Sequence, residues 1–332
     1  AKIVGVSPAT ISLVFNNKPG ISDATREEVL KAAAQYGYTY KKSEKKDVST
    51  SVIQFVTYKK HEKILADTPF FSELTEGISQ ECSLQNCAVN MSYIHGDGDI
   101  QEQIDALRRT DCIGILLLAT EMSPEDFRWF QDFKVPIVVL DSYYDGLEFD
   151  CVLINNIQGA FQATDYLAQC GHTNIGYLHS NIPIGNFYER ADGFYKALRV
   201  NHISTSKCPV HLISPTSGEG YLDMMKILKG GPELADAYFA DNDIIAAAAM
   251  KAFQEVGYQI PEDISIIGFD DMPLCKMMTP SLSTMNVRKR DLGAAAIKQL
   301  LVRTKEPDRL YLKMSMSTTL VCRESVSDLS HS

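Results

Sequence analysis

The sequence has 332 residues, 45% of them apolar and 22% charged. At roughly 150 residues per domain this is chain enough for two domains and a small extra module, and such a composition excludes disordered and collagen-like classes. The net charge of −10 argues against a protein that coats nucleic acid over its whole surface.

Charge is unevenly spread. Residues 1–47 carry eight Lys/Arg against five Asp/Glu, a local charge of +3, while the other 285 residues carry 24 against 37, a charge of −13. A small basic head on an acidic body directs any polyanion to the head. Residues 1–37 read as helical throughout. Ala1–Val4 ends at Gly5, a residue suited to the turn of a helix pair. Ser7 is an N-cap candidate with Pro8 at the first helical position, and the helix PATISLVFN stops at NNKPG. The segment SDATREEVLKAAAQYGY opens on Ser22 as N-cap, places Ala24, Val29, Ala32 and Ala33 on its apolar face and stops at Gly37. Three short helices with a Gly-containing turn between the first two fit a helix-turn-helix unit. The polar run KKSEKKDVSTS at 41–51 reads as a linker.

From Val52 onward, short apolar runs alternate with amphipathic stretches. The runs are VIQFV, AVNMSYI, GILLLA, VPIVVLD, NIGYLHS, PVHLIS, AYFAD and ISIIGFD. Between them lie helical segments such as Phe71–Gln85, Ser123–Asp132, Asn156–Cys170, Phe187–Arg199, Gly218–Leu228 and Asp243–Val256. Such alternation implies parallel sheets covered by helices on both faces. Eight or more strands over about 270 residues suit two sheets better than one, with a change of lobe near Asn155 and a return near Met285–Arg288. The crevice between two such lobes, beyond the carboxyl ends of the strands, is the default ligand site. The tail RESVSDLSHS has no Leu heptad and predicts no coiled coil.

The longest strongly apolar runs, GILLLA and IIAAAAM, fall far short of the ~18 residues of a membrane span, so no membrane association is expected. The chain opens at Ala1 without an initiator Met, which predicts a natural start slightly upstream; no basic, apolar leader is present, so a cytoplasmic protein is expected. Eight scattered cysteines, without C-x-x-C or a Cys/His pair at zinc spacing, predict reduced, mostly buried thiols and neither metal nor cofactor.

The segment GVSPATISLVFNNKPGISDATREEVLKAAAQYGY resembles the DNA-binding domain of the lactose-repressor/galactose-repressor (LacI/GalR) family. It follows that family's pattern G-V-S-x-x-T-V-S-x-x-L-N, V-S-x-x-T-R-x-x-V and A-x-x-L-G-Y closely. TPFFSELTEGI, NNIQGAFQATDYLAQCGHTNIGYL, NFYERADGFYKAL, AYFADNDIIAAAAMKAFQEVGYQIPEDISIIGFDDMP and TPSLSTMN extend the likeness to about residue 323. The resemblance implies an all-α helix-turn-helix head plus an α/β, two-lobed, periplasmic-binding-protein-like core of two doubly wound parallel sheets. The expected boundaries are 1–40 for the head, 41–51 for the linker, 52–155 with 288–316 for the N-terminal lobe, 156–287 with 317–323 for the C-terminal lobe, and 324–332 for a tail. It further implies a bacterial, nucleoid-associated transcription regulator, a repressor in the common case. Such a protein is a homodimer on a palindromic double-stranded DNA operator, controlled by a small-molecule effector, most often a sugar.

Carried over by position, Ser7, Thr10, Ser12, Asn16, Ser22 and Thr25 match the family's phosphate-contacting residues. Pro8, Ala9 and Leu13 are the base-facing positions; the family often has Arg at the place of Leu13, and these three side chains offer apolar contact to thymine methyls rather than a bidentate hydrogen bond. The family's P-N-x-x-A-R-x-L hinge, which wedges a Leu pair into the minor groove, is missing from YTYKKSEKKDVSTS, where Lys41, Lys42, Lys45 and Lys46 could meet phosphates instead. In the crevice, Arg190, Asn242 and Asp270 match the ligand-clamping positions, with Asp243 the better helix-cap candidate. Asp141 at a strand end and the aromatics Phe70, Phe71, Tyr143 and Phe187 complete the effector-binding candidates, while Trp129 reads as packing.

No enzyme is expected. GFDD could suggest paired carboxylates for acid–base work, but neighbours in an extended strand point to opposite faces, so Asp270 and Asp271 do not flank one bond. There is no G-x-G-x-x-G, P-loop or G-x-S-x-G. The alternatives are a sugar-binding protein without DNA function, or a sugar or nucleoside hydrolase.

Overall fold

The computed structural model describes residues 1, 3–15, 18–36, 51–61, 63–65 and 69–330. They belong to two units, Ala1–Thr50 and Ser51–Ser332.

Both helices of the first unit open on a serine hydroxyl. Helix α1 (Pro8–Phe15) starts where Ser7 Oγ accepts the Thr10 N–H at 3.0 Å, and α2 (Asp23–Gln35) where Ser22 Oγ accepts the Thr25 N–H at 3.3 Å. These bonds satisfy donors that a helix start otherwise leaves open. The helix expected at Ala1–Val4 is instead a turn. Gly5 takes φ +66°, and the Val6 N–H returns to the Ala1 carbonyl at 3.2 Å. One turn ahead of a left-handed glycine is too short to propagate as a helix. Val14 and Val29 are buried between α1 and α2. Ala24, expected on the apolar face, is exposed; the inward row runs through Thr25, Arg26, Val29, Ala32 and Ala33, which is the helical 3–4 spacing counted back from Val29. Arg26 Nη2 donates to the Lys18 carbonyl at 2.8 Å and fastens the inter-helix turn.

In the second unit the first lobe is built by β1 (Ser51–Lys59), α3 (Pro69–Leu84), β2 (Cys87–His95), α4 (Ile100–Arg108), β3 (Gly114–Leu118), β4 (Ile137–Leu140) and β5 (Asp150–Ile154). The second follows with α5 (Asn156–Gln169), β6 (Ile175–Ser180), α6 (Gly185–Val200), β7 (Val210–Ile213), α7 (Ser217–Lys229), β8 (Ala237–Ala240), α8 (Asp243–Glu255), β9 (Ser265–Asp270) and β10 (Ser283–Asn286). The chain then returns to the first lobe with α9 (Lys289–Lys305) and β11 (Lys313–Met316), and ends in the second with β12 (Thr319–Val321). The sheets run β11-β5-β4-β3-β1-β2 and β12-β10-β9-β8-β6-β7, the same doubly wound order twice. All pairs are parallel except β12, which runs antiparallel to β10. The central strands are buried on both faces, which is why they read as unbroken apolar runs.

Four strands lie outside those runs: β5, β10, β11 and β12. The last three are short and partly polar, STMN, KMSM and TLV. Their state is set by the neighbouring ladder rather than by periodicity. The helix expected at Ser123–Asp132 is a 3-10 turn over Pro124–Phe130, opened by a Ser123/Asp126 capping box. Phe127 and Phe130, three apart, are both buried there, as the threefold period of that helix requires.

Helices α3 and α9 touch backbone to backbone. A Cβ on Gly77 would fall 2.1 Å from the Arg290 carbonyl, and one on Gly293 2.5 Å from the Leu74 carbonyl. Behind α9, Arg303 pairs with the fully buried Asp150 through Nε at 2.6 Å and Nη2 at 3.1 Å. Its other N–H groups take the carbonyls of Pro307, Arg309 and Leu310. This pair locks the β5 start to the loop that leads into β11. Among the described residues, no helix is long and apolar enough to cross a membrane. Replacing Arg303 with Met strands the Asp150 carboxylate; urea unfolding should show a loss of about 3–5 kcal/mol, and a change below ~1 kcal/mol would mean the pair is solvated.

Candidate functional site

The carboxyl ends of both sheets face one cleft, with about 620 Å³ of empty space including its open mouth. Each lobe supplies loops that follow its strands. From the first come Lys63 and Ile64 after β1, Thr120 after β3, Asp141 after β4 and Ile154 at the end of β5. From the second come Asn186, Phe187 and Arg190 on α6, Pro215–Ser217 after β7, Asn242 after β8 and Asp270 at the end of β9. This is where doubly wound sheets hold ligands. Seven of the eight residues read from the sequence as effector candidates line it, Phe70, Phe71, Asp141, Phe187, Arg190, Asn242 and Asp270; Tyr143 does not.

Arg190 is 3% exposed. Its Nε donates to Asn156 Oδ1 at 2.9 Å, Nη2 to Asp270 Oδ1 at 3.2 Å, and Nη1 to the Asp241 carbonyl. The guanidinium lies 3.8 Å from the centroid of the Phe269 ring, a cation–π contact strengthened by burial. Asn156 is itself oriented by Glu189, to which its Nδ2 donates at 2.8 Å.

Asp141 faces it from the other lobe. Thr120 Oγ1 donates to Asp141 Oδ2 at 2.6 Å, and Asn186 Nδ2 reaches across the cleft to Oδ1 at 3.0 Å. Burial pushes the Asp141 carboxyl up to about 6, against the hydrogen bond from Thr120 and the charge of Arg190. Burial also raises Asp270, opposed by Arg190 and Lys289. Asp243, packed behind Asp270, is pushed up to about 7 by burial and then by the Asp270 charge. Asp141 at φ 65°, Asp270 at 109° and Asp271 at 51° occupy left-handed backbone. Such strain collects at binding sites held by surrounding structure.

Asn242, not Asp243, caps α8: Asn242 Oδ1 accepts the Ile245 N–H at 2.9 Å. Asp243 is the first helical residue and buries its carboxylate against Thr284 Oγ1 at 2.6 Å and the Met272 N–H at 2.8 Å. Asp270 and Asp271 do diverge, toward Arg190 and Arg323 respectively, but through their left-handed turn rather than strand alternation. Phe70 and Phe71 meet edge to face at 5.0 Å on the first-lobe wall, and Phe187 lies under Arg190 at 5.6 Å. Tyr143 stays outside the cleft, half-buried beneath the Lys313 ammonium, and Trp129 packs on the first-lobe core.

Thr120, Asn186 and Lys63 were not singled out by sequence. Asn186 had one signal, its place beside Phe187 at a helix start. Thr120 had none, since it earns its place only by meeting Asp141. Lys63 depends on Glu121, a buried carboxylate that accepts the N–H groups of Lys60, His61 and Ile64 at 2.7, 2.9 and 3.1 Å and so shapes the loop after β1. Lys63 then bridges the cleft mouth to Glu219 of α7 at 2.7 Å.

In the head, Ser7, Pro8, Ala9, Ser12 and Leu13 are exposed around the start of α1, and Ser22 is exposed at the start of α2; Thr10 and Thr25 are half-buried. Leu13 is 38% exposed, so it is no core residue of the described head. Asn16 and the linker lysines Lys41, Lys42, Lys45 and Lys46 lie outside the described residues.

A helix-turn-helix head and a two-lobed binding-protein-like core with a cleft define the class of ligand-responsive bacterial regulators. The pattern of the bacterial regulatory proteins of the lacI family matches residues 1–40, and that of the periplasmic binding protein-like domain matches 164–326. The ribose operon repressor of Haemophilus influenzae is 30% identical over 99% of this chain and 98% of its own. The repressor PurR of Mannheimia succiniciproducens is 28% identical with the same coverage. Among solved structures, a LacI family regulator from Enterococcus faecium with bound ribose superposes with a TM-score of 0.72 and 26% identity, covering 84% of this chain and 100% of that one. The chain belongs to the lacI family of bacterial regulatory proteins.

Because Asn242 both caps α8 and lines the cleft, Asn242→Ala should lower unfolding free energy by about 0.5–2 kcal/mol while Asn242→Asp retains most of it. Denaturant titration of the two variants checks this, and an unchanged Asn242→Ala midpoint would remove the capping role.

Proposed function

We propose that this protein is a homodimeric repressor that binds a double-stranded operator through the α1 side of its head and changes its operator affinity when a sugar occupies the cleft. One observation carries the effector reading: a buried, fully oriented guanidinium stands between Asp270 and Asp141, with the rings of Phe70, Phe71 and Phe187 lining the same space. Paired polar groups suit adjacent hydroxyls, and aromatic faces suit the C–H face of a sugar ring. The name of the ribose operon repressor and the ribose bound to the Enterococcus faecium regulator support a sugar, and D-ribose is the first probe. The hydroxyls of Ser7, Thr10, Ser12, Ser22 and Thr25 serve phosphate oxygens, and Pro8, Ala9 and Leu13 face bases in the major groove. Asn242 serves the sugar as well as α8. The 41–51 segment acts as the linker, and the two sheets with their helices act as the two effector lobes. The cleft binds without catalysis, since Asp270 and Asp271 answer to separate arginines. The protein acts in the cytoplasm, at the nucleoid, and Met91 and Tyr93, exposed on the outer strand β2, offer an apolar edge for a second copy.

The test is Arg190→Ala in gel retardation and calorimetry. D-ribose or a related sugar should no longer bind or alter retardation, while sugar-free operator affinity stays within about twofold and still falls steeply with salt. Loss of operator binding by the sugar-free variant would make Arg190 structural. A wild-type protein that retards no operator DNA would refute the repressor reading.

A second expectation concerns pH. A carboxyl titrating near 6 is ionised at pH 7 and largely neutral at pH 5. Sugar affinity should therefore fall as pH drops through 6, because Asp141 loses acceptor capacity. Asp141→Asn should bind more weakly at pH 7 with a flatter profile over pH 5–7; a profile as steep as that of the wild type would assign the titration to another group.

A further inference from the structure

Lys289 is 3% exposed, and it is the first residue of helix α9. Both facts count against it. A buried ammonium loses hydration, and a cation at a helix N-terminus opposes the helix dipole. The first turn of α9 would be better served there by an acid or a hydroxyl. The compensation is visible in its partners. Lys289 Nζ donates to the Asp270 carbonyl at 2.5 Å and to those of Asp271 and Val287 at 3.4 Å each. The Phe70 ring centroid lies 5.7 Å from the same atom.

The first two carbonyls belong to the one place among the described residues where two consecutive residues stand in left-handed backbone, Asp270 at φ 109° and Asp271 at 51°. Other ties of this turn come from the second lobe: the Asp271 N–H to Thr284 Oγ1 at 3.4 Å, Asn286 Nδ2 to Asp271 Oδ2 at 2.7 Å, Arg323 to Asp271 Oδ1, and the Met272 N–H to Asp243 Oδ2 at 2.8 Å. Lys289 comes from α9, which packs on α3 and on β3, β4 and β5 of the first lobe. One ammonium thus joins the aromatic wall of the first lobe to the turn that carries the cleft carboxylate of the second.

We propose that Lys289 is a positioning residue of the cleft: by taking the Asp270 and Asp271 carbonyls it holds the turn that aims the Asp270 carboxylate at Arg190, and it ties that turn to helix α9. The proposal rests on the reading of Asp270 as part of the sugar site. Asp270 is faced by Arg190 from α6, Lys289 from α9, Asp241 after β8, Asp243 of α8 and Asp141 after β4, so its titration reports the Lys289 charge against a defined background.

The experiment compares Lys289→Met, of similar length but without donors, with Lys289→Arg. D-ribose affinity is measured by calorimetry. The Asp270 carboxyl is titrated in sugar-free protein by carbon-13 NMR, assigned with Asp270→Asn. Lys289→Met should lose at least tenfold in ribose affinity and raise the Asp270 midpoint by about one pH unit or more. Lys289→Arg should restore the midpoint and part of the affinity. Wild-type affinity and midpoint in a folded Lys289→Met, or an Arg variant as shifted as the Met variant, would overturn the proposal. If the wild-type protein binds no sugar, the sugar reading fails, and the Asp270 midpoint still decides the role of Lys289. Should Lys289→Met not fold, nitrogen-15 NMR of the wild-type ammonium serves instead: a slowly exchanging signal supports the bonded cation, and a fast-exchanging one overturns it.

Discussion

A guanidinium taken out of water must find polar partners or the fold pays several kcal/mol, and the interior of the second lobe is arranged around that demand. Arg190 uses Asn156, the Asp241 carbonyl and Asp270, and rests on Phe269. Each partner comes from a different element, so α5, α6, β8 and β9 must keep their register for the charge to be tolerated. The Asp241 carboxylate is in turn held by the Tyr177 hydroxyl, His179 Nδ1 at 2.7 Å and the Ser180 N–H at 2.7 Å. The strand ends around the cleft therefore form one polar network with an unmovable cation at its centre, which is the preorganisation a binding site needs to spend little on ordering when ligand arrives.

The first lobe answers with weaker and more adjustable contacts. Asn186 to Asp141 and Lys63 to Glu219 are the direct bonds across the opening. Lys63 and Glu219 are about half exposed, so their pair contributes little on its own. A cleft rigid on one side and lightly latched on the other can open without unfolding, and a ligand that replaces the Asp141–Asn186 bond with better ones shifts the lobes by differential affinity. The sheets recede from the cleft as continuous apolar cores, and Lys289 sits beside the crossing by which the chain returns to the first lobe.

The head follows a different economy. Its two described helices each start on a serine cap, with only Val14 and Val29 buried among the described apolar residues. Small exposed side chains at the start of α1 leave the backbone close to whatever surface it meets. Pro8, Ala9 and Leu13 carry no group for a bidentate hydrogen bond to a base edge.

Much of this was legible without coordinates wherever a residue's role depends on its near neighbours or on a contiguous apolar run. The serine caps, the buried parallel strands and the strand-end places of Asp141 and Phe70 belong to that group, whereas Arg190, Asn242 and Asp270 came from the resemblance to the family. Local pattern misled where the inward face of a helix is fixed by what it packs on, as at Ala24, and where adjacent polar residues compete for one cap, as at Asn242 and Asp243. It was silent on β10, β11 and β12, whose strand state exists only beside β9, β5 and β10 respectively. It was silent also on Thr120, Glu121 and Lys289, whose partners lie tens or more residues away or act through backbone carbonyls. Sequence by itself determined the family, the alternating strand–helix order and the chemistry available at the cleft, because periodicity and motif are local. Tertiary structure alone decided which carboxylate meets Arg190, that Asp243 is drawn inward to Thr284 and Met272 while Asn242 caps α8, and which lysine is buried, because each is settled by groups distant in sequence.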